Sequence, residues 1–478
     1  MNYRMISRII GLALLIESGL MLLPFAAGLF YSERPWEFLY VALAAAAVGF
    51  LLVLFKPKTS TIYAQEGFVS VTIVWLLMSL FGAIPFVISG DIPRFADAFF
   101  ETVSGFTTTG ASVVNNVEGM SKAGLFWRSF THWVGGMGVL VFIMAVLPMS
   151  GDHSMHIMRA EVPGPVVGKL VPRVKETAKI LYLIYAGLTV LETFFLLAGG
   201  MSFFDALLHA FGTAGTGGFS TKNAGLSAFN SPYIEIIIPV FLMLFGINFN
   251  LYYLFLIGKG KDALKSEELH VYLLIIVVAT LSITAGITGL VGGFGTALRT
   301  AFFYVLSILT TAGFTTADYM QWPQYTLVII VVLMFIGGCA GSTGGGLKVS
   351  RVMLLIKNSA AEIHHMISPR RVKKVRLDGK VVEDSVLKTV SSFFFLYLFI
   401  LFVCTFIISF DGFDFSTNFT ASLSCISNIG PGLNGVGPTE NYYAFSAFSK
   451  YVMSLTMLLG RLEIYPIIIT VISLVKKK

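Results

Sequence analysis

The sequence predicts an all-α integral membrane protein with a pseudo-fourfold repeat of helix–half-helix–helix units and two extra N-terminal transmembrane helices. Of its 478 residues, 56% are hydrophobic and only 12% are charged, which is about half the charged fraction of a soluble domain. Apolar runs of roughly 20 residues, the length that crosses a bilayer, recur along the whole chain. Four shorter apolar segments, each followed by a stretch rich in Gly and Thr, lie between these long runs.

Ten long apolar segments are predicted to span the membrane, at residues 6–30, 37–55, 67–89, 124–148, 177–199, 233–257, 270–290, 325–355, 386–409 and 443–475. The first contains Glu17 and leads directly into the second, which favours a retained helix over a cleaved signal. Most of the 33 Lys and Arg residues fall in the connections on one side of these spans. Because cytoplasmic loops carry such an excess of positive charge, both termini are predicted to be cytoplasmic.

The net charge of +7 is therefore explained by topology, and no nucleic-acid partner is expected. The most basic connection, residues 368–388, is interpreted as an anchor beside anionic lipid, with a docking surface for a cytosolic partner as the alternative. Three cysteines, Cys339, Cys404 and Cys425, lie in apolar segments. Their positions argue against a disulfide framework and against a thiolate metal site.

The four shorter apolar segments are about ten residues long. Ten helical residues rise about 15 Å, half the hydrocarbon thickness, so such a half-helix enters the membrane without crossing it. The non-helical backbone that follows is tolerated at this depth only when it is buried in protein or lines a water-filled cavity. Each segment is thus predicted to be re-entrant from the outside.

These four segments align without gaps on one glycine each: Asp97–Gly110, Asp205–Gly218, Thr300–Gly313 and Thr417–Gly430. A long-period repeat of this kind indicates the architecture. It divides the chain into two N-terminal helices at 1–66 and four pore repeats at 67–176, 177–269, 270–385 and 386–478. Asp or Thr at the start of each segment suits the first turn of a helix.

The geometry of such a segment suits a cation. A half-helix entering from outside points its carbonyl end at the membrane centre, and rings of backbone carbonyls replace the hydration shell of a monovalent cation. The repeat is therefore predicted to surround a central ion pore. The candidate ligands are the carbonyls of Thr108, Thr109, Gly110, Thr216, Gly217, Gly218, Thr311, Ala312, Gly313, Asn428, Ile429 and Gly430. The alternative, glycines that serve only helix packing, does not explain four loops in register.

Two features are predicted on the inner side of this pore. The span at 325–355 is interrupted by Gly337–Gly346, where six of ten residues are glycine. This segment is interpreted as a movable intramembrane gate, built on Gly337, Gly338, Gly341, Gly344, Gly345 and Gly346; a simple kink for packing is the alternative. The second feature is Arg461, which either faces the pore and repels cations or extends toward the inner interface.

The four half-helix units, the Gly-rich break and the arginine in the last span resemble the Trk/Ktr/HKT superfamily of potassium transporters, and within it the TrkH-type subunits. The resemblance covers essentially the whole chain. It implies that Gly110, Gly218, Gly313 and Gly430 belong to a potassium selectivity filter and that residues 337–346 and Arg461 act in gating. It also implies a homodimer in a bacterial inner membrane that assembles with a cytosolic nucleotide-binding ring of the TrkA type. Sodium-preferring members replace the first filter glycine by serine, and Gly110 does not show this change.

The expected function is channel-like potassium uptake, with no covalently bound cofactor and with nucleotide acting only through the regulatory partner. The alternative keeps the fold but couples potassium to Na⁺ or H⁺; Glu17, Glu192 and the Arg461/Glu463 region are its candidate coupling groups. An enzyme would need clustered His, Asp or Glu side chains at a membrane face. The sequence holds no such cluster, so no catalytic residues are expected.

Overall fold

The computed structural model describes residues 1–55, 63–138, 174–370 and 374–475. Its α-helices, with their bounds, are α1 (Tyr3–Phe30), α2 (Trp36–Val53), α3 (Ala64–Ser89), α4 (Phe95–Phe106), α5 (Lys122–Gly136), α6 (Val174–Ala198), α7 (Phe203–Ala214), α8 (Ile234–Phe245), α9 (Phe249–Leu256), α10 (Gly260–Ala263), α11 (Glu267–Ile287), α12 (Phe294–Leu309), α13 (Gln324–Ile336), α14 (Val349–Ile367), α15 (Asp384–Ile408), α16 (Phe415–Ser427), α17 (Ala447–Arg461) and α18 (Tyr465–Val475). The predicted helical class is confirmed for these residues.

One element departs from the all-α prediction. A short antiparallel hairpin pairs β1 (Arg376–Leu377) with β2 (Lys380–Val381) inside the basic connection. The turn between them contains Asp378 and Gly379, both with positive φ (50° and 74°). Asp-Gly is a strong hairpin signal because both residues tolerate left-handed backbone.

The long helices have apolar faces that no other described residue covers. On α15, Phe395, Phe399, Phe402 and Phe406 follow one helical face and are 57% to 69% exposed. A contiguous exposed stripe of large aromatic side chains indicates contact with lipid. Six described helices are long and apolar enough to cross a membrane, or eight if two bent helix pairs each count as one span.

The two N-terminal helices form a hairpin at very close range. A Cβ placed on Gly11 of α1 would lie 2.6 Å from the carbonyl oxygen of Gly49 on α2, and one on Gly49 would lie 2.8 Å from that of Gly11. Small residues allow helix backbones to approach in this way, and van der Waals packing then holds them together in the membrane.

Three of the predicted spans are broken. Gly337 to Lys348 separate α13 from α14, as predicted from the glycine run. The prediction that the spans at 233–257 and 443–475 are continuous was wrong: the chain bends by 85° between α8 and α9 and by 111° between α17 and α18. At the second bend Glu463 and Ile464 have φ of 57° and 66°, a conformation that costs about 1–3 kcal/mol and persists only when tertiary contacts impose it.

The predicted span at 124–148 lies only partly within the described residues. Helix α5 begins at Lys122, where Ser121 caps it by accepting a hydrogen bond from the backbone N–H of Gly124, and it ends at Gly136. The remainder of that predicted span lies outside the described residues. The end of α5 packs against the first short helix, since a Cβ on Gly135 would overlap the carbonyl oxygen of Phe106.

Candidate functional site

Four short helices, α4, α7, α12 and α16, lead into the four glycine loops that the sequence aligns. They contain 12 to 16 residues each, so none spans a bilayer alone. Helix α7 is capped by Ser202 and α16 by Asp414, whose side chains accept hydrogen bonds from the backbone N–H groups of the first turn. Their C-terminal halves are buried, which places the last carbonyls inside the protein.

The four loops share one backbone conformation. The residue two positions before each aligned glycine has a left-handed φ of 54°, 53°, 63° and 57° at Thr108, Thr216, Thr311 and Asn428. The glycines have φ of 77°, 80°, 73° and 105° at Gly110, Gly218, Gly313 and Gly430. Threonine adopts a left-handed φ rarely. Its recurrence at the same aligned position shows that the four segments make the same turn.

The glycines bring the loops into contact in cyclic order. A Cβ on Gly110 would overlap the carbonyl oxygen of Gly217, one on Gly218 that of Ala312, and one on Gly313 that of Ile429; one on Gly430 would lie 2.8 Å from that of Thr109. Each glycine thus lies against the carbonyl that precedes the glycine of the next loop, and the fourth returns to the first. The ring of backbone contacts is closed, and its four carbonyls are among the predicted ligands.

Outside the ring the four loops share one chamber. A cavity of about 330 Å³ is lined by Gly110, Gly218, Gly313 and Gly430 together with the polar residues that follow them. Hydrogen bonds join neighbouring loops around its wall: Asn223 accepts from the Val117 amide at 2.7 Å, and the Tyr319 hydroxyl donates to the Gly432 carbonyl at 2.5 Å. The ring therefore borders a chamber with polar walls.

The chain that returns from each glycine is held by side chains of its own short helix. These residues were not predicted from sequence, because their chemistry differs among the loops. In the first loop, Glu101 accepts hydrogen bonds from the Ser112 hydroxyl and the Val113 amide at 3.0 and 2.9 Å. In the second, His209 lies 2.9 Å from the Ser220 hydroxyl. In the third, the Tyr304 oxygen accepts from the Thr316 and Ala317 amides at 2.9 and 2.7 Å, and in the fourth the Thr420 oxygen accepts from the Leu433 amide at 2.8 Å. Glu101, His209 and Tyr304 occupy the same aligned position.

A buried ion pair joins the first loop to the second. Arg128 of α5 donates to Glu101 at 2.6 Å, and the two side chains are 3% and 0% exposed. Arg128 also donates to the Ser220 carbonyl at 3.0 Å and stacks 3.5 Å above the Phe219 ring. Because guanidinium presents several donors in one plane, it can satisfy a carboxylate and a carbonyl together.

We expect Arg128→Met to lower the apparent free energy of unfolding by about 3–5 kcal/mol, since it leaves the Glu101 carboxylate buried and unpaired. Thermal unfolding of the detergent-solubilised protein measures the loss. Glu101→Gln/Arg128→Met removes both charges and is expected to lose much less than the sum of the two single variants. Additive losses would contradict the pairing.

The fourth loop is joined to the first by other groups. The Asn428 amide donates to the Thr109 hydroxyl at 3.0 Å, and the Tyr442 amide donates to the Ser112 carbonyl at 2.8 Å. Above them, Lys450 of α17 is paired with Asp97 in the first turn of α4 at 2.6 Å, with both side chains buried. Helix α17 therefore contributes directly to the closure between the last unit and the first.

The glycine run 337–346 lies below the ring and contacts the second unit. The Cys339 amide donates to the Gly246 carbonyl at 2.9 Å, and the Phe249 amide donates to the Gly341 carbonyl at 3.0 Å. These bonds satisfy backbone groups at the break between α8 and α9, where a buried unpaired polar group would be costly. The break in the second unit and the run in the third thus support each other.

The same run also contacts the loops above it. The Gly345 amide donates to the Thr311 hydroxyl at 2.6 Å, and the Gly346 amide donates to the Ser427 carbonyl at 2.9 Å. A Cβ on Gly345 would overlap the Ser427 carbonyl oxygen. The glycines therefore allow the run to lie directly against the inner ends of the third and fourth loops.

Arg461, at the end of α17, reaches across the inner side of the ring. It is 6% exposed and donates to the Thr343 carbonyl at 2.9 Å and to the Gly135 and Gly136 carbonyls at 2.5 and 2.7 Å. The last two belong to the C-terminal end of α5, which favours a cation. The side chain is held by backbone carbonyls of two other units rather than extending toward an interface.

Four charged residues beside Arg461 also hold the run in place, and three of them, Lys348, Glu268 and Arg351, were not predicted from sequence. Lys348 is 1% exposed, has φ of 77° and donates to the Gly344 carbonyl. Glu268 of α11 accepts from the Ala340 and Ser350 amides at 2.7 and 3.0 Å. Glu463, which follows Arg461, pairs with Arg351 of α14. Both ends of the run are thus tied to neighbouring helices.

The whole chain resembles a family of transport proteins. Residues 34–477 match a family described as TrkH, cation transport protein. The chain is 37% identical to the Trk system potassium uptake protein TrkH of Salmonella typhimurium, over 98% of both chains, and 35% identical to the Trk system potassium uptake protein TrkG of Escherichia coli, over 98% of this chain and 97% of the relative. The crystal structure of the potassium transporter TrkH from Vibrio parahaemolyticus superposes with a TM-score of 0.89 at 33% identity, covering 98% of each chain.

Proposed function

Because this chain belongs to the TrkH family of cation transport proteins, we propose that it takes up potassium across a bacterial inner membrane through a channel-like central pore. The family inferred from sequence is confirmed, and the chain is a transport protein rather than an enzyme. The observation that carries the proposal is the closed ring in which Gly110, Gly218 and Gly313 each lie against a carbonyl of the next loop, with Gly430 completing the circle.

The ring acts as the selectivity filter of a pseudo-fourfold pore. Potassium exchanges its water shell for backbone carbonyls, which cost no reorganisation because the left-handed residues and the side chains behind each loop hold them in place. The proposed ligands are the carbonyls of the twelve residues identified from sequence: Thr108, Thr109, Gly110, Thr216, Gly217, Gly218, Thr311, Ala312, Gly313, Asn428, Ile429 and Gly430. Differences among the four supporting side chains make this filter asymmetric.

The run 337–346 acts as the gate. Its hydrogen bonds to the Thr311 hydroxyl and the Ser427 carbonyl, at the inner ends of the third and fourth loops, support this role. Arg461 adds a positive charge beside it and holds it through Thr343. A fixed cation at this depth slows the passage of potassium, and its bond to the Thr343 carbonyl has to break before the run can move.

Regulation comes from the cytosolic side in this proposal. The relatives are named as proteins of a Trk system, which supports a partner from the same system. In this proposal the partner is a TrkA-type nucleotide-binding ring, and it binds a homodimer of this chain. Helix α14 continues from the gate into the basic connection that carries the β1–β2 hairpin. A partner that binds this connection can pull on the gate, with both termini of the chain on the same cytoplasmic side.

A coupled symporter is the second candidate, and two buried carboxyl groups favour it. Glu17 of α1 and Glu192 of α6 are both 0% exposed. Among the described residues, the Glu17 carboxylate has no hydrogen-bond partner, and the Glu192 carboxylate lies beside the Thr213 side chain. An ionisable side chain inside the membrane marks an ion or proton pathway by default. Channel conduction remains the main proposal because neither residue lines the ring or the run beneath it.

Purified protein in liposomes separates these two functions. With no sodium or proton gradient, a channel carries ⁸⁶Rb⁺ down its own gradient and stops at electrochemical equilibrium. Uphill accumulation driven by a proton gradient, and its loss in Glu192→Gln, would establish coupling instead. We expect Glu192→Gln to leave downhill flux within about twofold of the parent, because its effect is confined to packing around one amide.

A further inference from the structure

The fourth filter loop differs from the other three at one position. Three loops have threonine two residues before the glycine, at Thr108, Thr216 and Thr311, and the fourth has Asn428. The backbone is the same in all four, with φ between 53° and 63°. Asparagine tolerates this conformation better than threonine does. Because all four loops adopt it, the conformation alone does not explain why asparagine occurs only in the fourth.

The Asn428 side chain makes two bonds that one hydroxyl group cannot make together. Its amide donates to the Thr109 hydroxyl of the first loop at 3.0 Å and to the Met457 carbonyl of α17 at 2.9 Å. An amide nitrogen has two hydrogens, whereas a hydroxyl has one. The side chain is 1% exposed, so water does not compete for these bonds.

Helix α17 approaches the same loop through its last turn. A Cβ on Gly460 would overlap the Ile426 carbonyl oxygen and lie 2.9 Å from the Asn428 side-chain oxygen. One turn of α17 therefore makes both contacts: Met457 and Gly460 lie against the fourth filter loop, and Arg461 binds the gate. Such close backbone packing makes the turn rigid.

We propose that Asn428 is a specificity-determining positioning residue: its amide braces the first and fourth filter loops on α17, so the filter keeps its spacing while the gate moves. This rests on the proposed potassium-channel function. The pair Asn428–Met457 fixes the turn that carries Arg461. Opening therefore moves the run 337–346 away from a stationary Arg461, and the carbonyls of Thr109 and Ile429 stay where potassium selects them.

Asn428→Thr tests the proposal, because threonine already occupies this conformation in the other three loops. We expect the potassium-to-sodium permeability ratio, measured from reversal potentials of protein in planar bilayers, to fall about tenfold, the factor that one ordinary hydrogen bond supplies. Asn418→Thr is the matched control: Asn418 lies near the start of α16, the helix that Asn428 follows, it is also buried, and its amide donates to the Phe413 carbonyl at 2.8 Å. Its ratio is expected to stay at the parental value.

Thr109→Val provides an independent arm if Asn428→Thr does not fold. It removes the hydroxyl partner and keeps the side-chain shape, so the ratio is expected to fall, and the double variant to fall no further than Asn428→Thr alone. An unchanged ratio in either folded variant, or an equal fall in Asn418→Thr, would overturn the role of Asn428. Failure of the parental protein to pass potassium would instead overturn the proposed function.

Discussion

Gly218→Ser is expected to lower the potassium-to-sodium permeability ratio at least tenfold in a protein that still folds. A Cβ at this position overlaps the Ala312 carbonyl oxygen, so that oxygen has to leave the ring. Serine also has to adopt φ of 80°, which costs about 1–2 kcal/mol. Displacing one of the ligands by a few tenths of an ångström weakens potassium binding, and each 1.4 kcal/mol is tenfold in affinity.

The control for this variant comes from the same unit. Gly200, between α6 and α7, has φ of 89°, and a Cβ there has nothing within 4 Å. Gly200→Ser therefore carries the same backbone strain without displacing a carbonyl, and its ratio is expected to equal that of the parent. Reversal potentials under bi-ionic conditions measure both variants. A parental ratio in folded Gly218→Ser would refute the placement of this glycine in the filter.

The four loops could be found from sequence because their signal is local and repeated. Glycine is needed wherever a loop must take a positive φ and approach another backbone, and it occurs at the aligned position in all four segments. The residues that hold the loops were missed because Glu101, His209 and Tyr304 do one task with different chemistry. An alignment by residue type cannot detect a role that an acid, an imidazole and a phenol share.

The bend between α17 and α18 could not be predicted for a different reason. The two residues with positive φ at this bend are Glu463 and Ile464, and residues of these types rarely adopt that conformation. The conformation is imposed by long-range contacts, above all the pair between Glu463 and Arg351, which lie 112 positions apart in the chain. By contrast, the break after α13 could be predicted, because the glycines that cause it lie within the segment itself.

The burial of Lys348 could not be predicted from sequence. In the sequence Lys348 lies inside the span predicted at 325–355, two residues after the glycine run, and nothing in that run predicts its contacts. In the structure it is inside the protein and donates to the Gly344 carbonyl. Burial of a charge depends on which carbonyls and carboxylates surround it, and that information lies in distant parts of the chain.

Arg461→Ala is expected to raise the rate of potassium uptake about tenfold or more while leaving the permeability ratio unchanged. Under the proposed function, the variant removes a fixed positive charge from the pathway, one hydrogen bond to the run 337–346 and two to the end of α5. Bonds from a charged donor contribute about 1.5–3 kcal/mol each, so the loss of even one favours the open gate by an order of magnitude. Initial ⁸⁶Rb⁺ influx into liposomes measures the rate.

Arg299→Ala is the matched control for charge removal. Arg299 pairs with Glu235 at 2.6 Å on a partly exposed surface, where an ion pair contributes at most about 1 kcal/mol, and its influx is expected to match the parent. Filter and gate are distinct if Gly218→Ser changes the ratio and Arg461→Ala changes the rate. An unchanged rate in folded Arg461→Ala would show that the three carbonyl bonds of Arg461 serve packing alone. A fall in the potassium-to-sodium permeability ratio of this variant would show that the turn bearing Arg461 moves with the filter and is not fixed by Asn428.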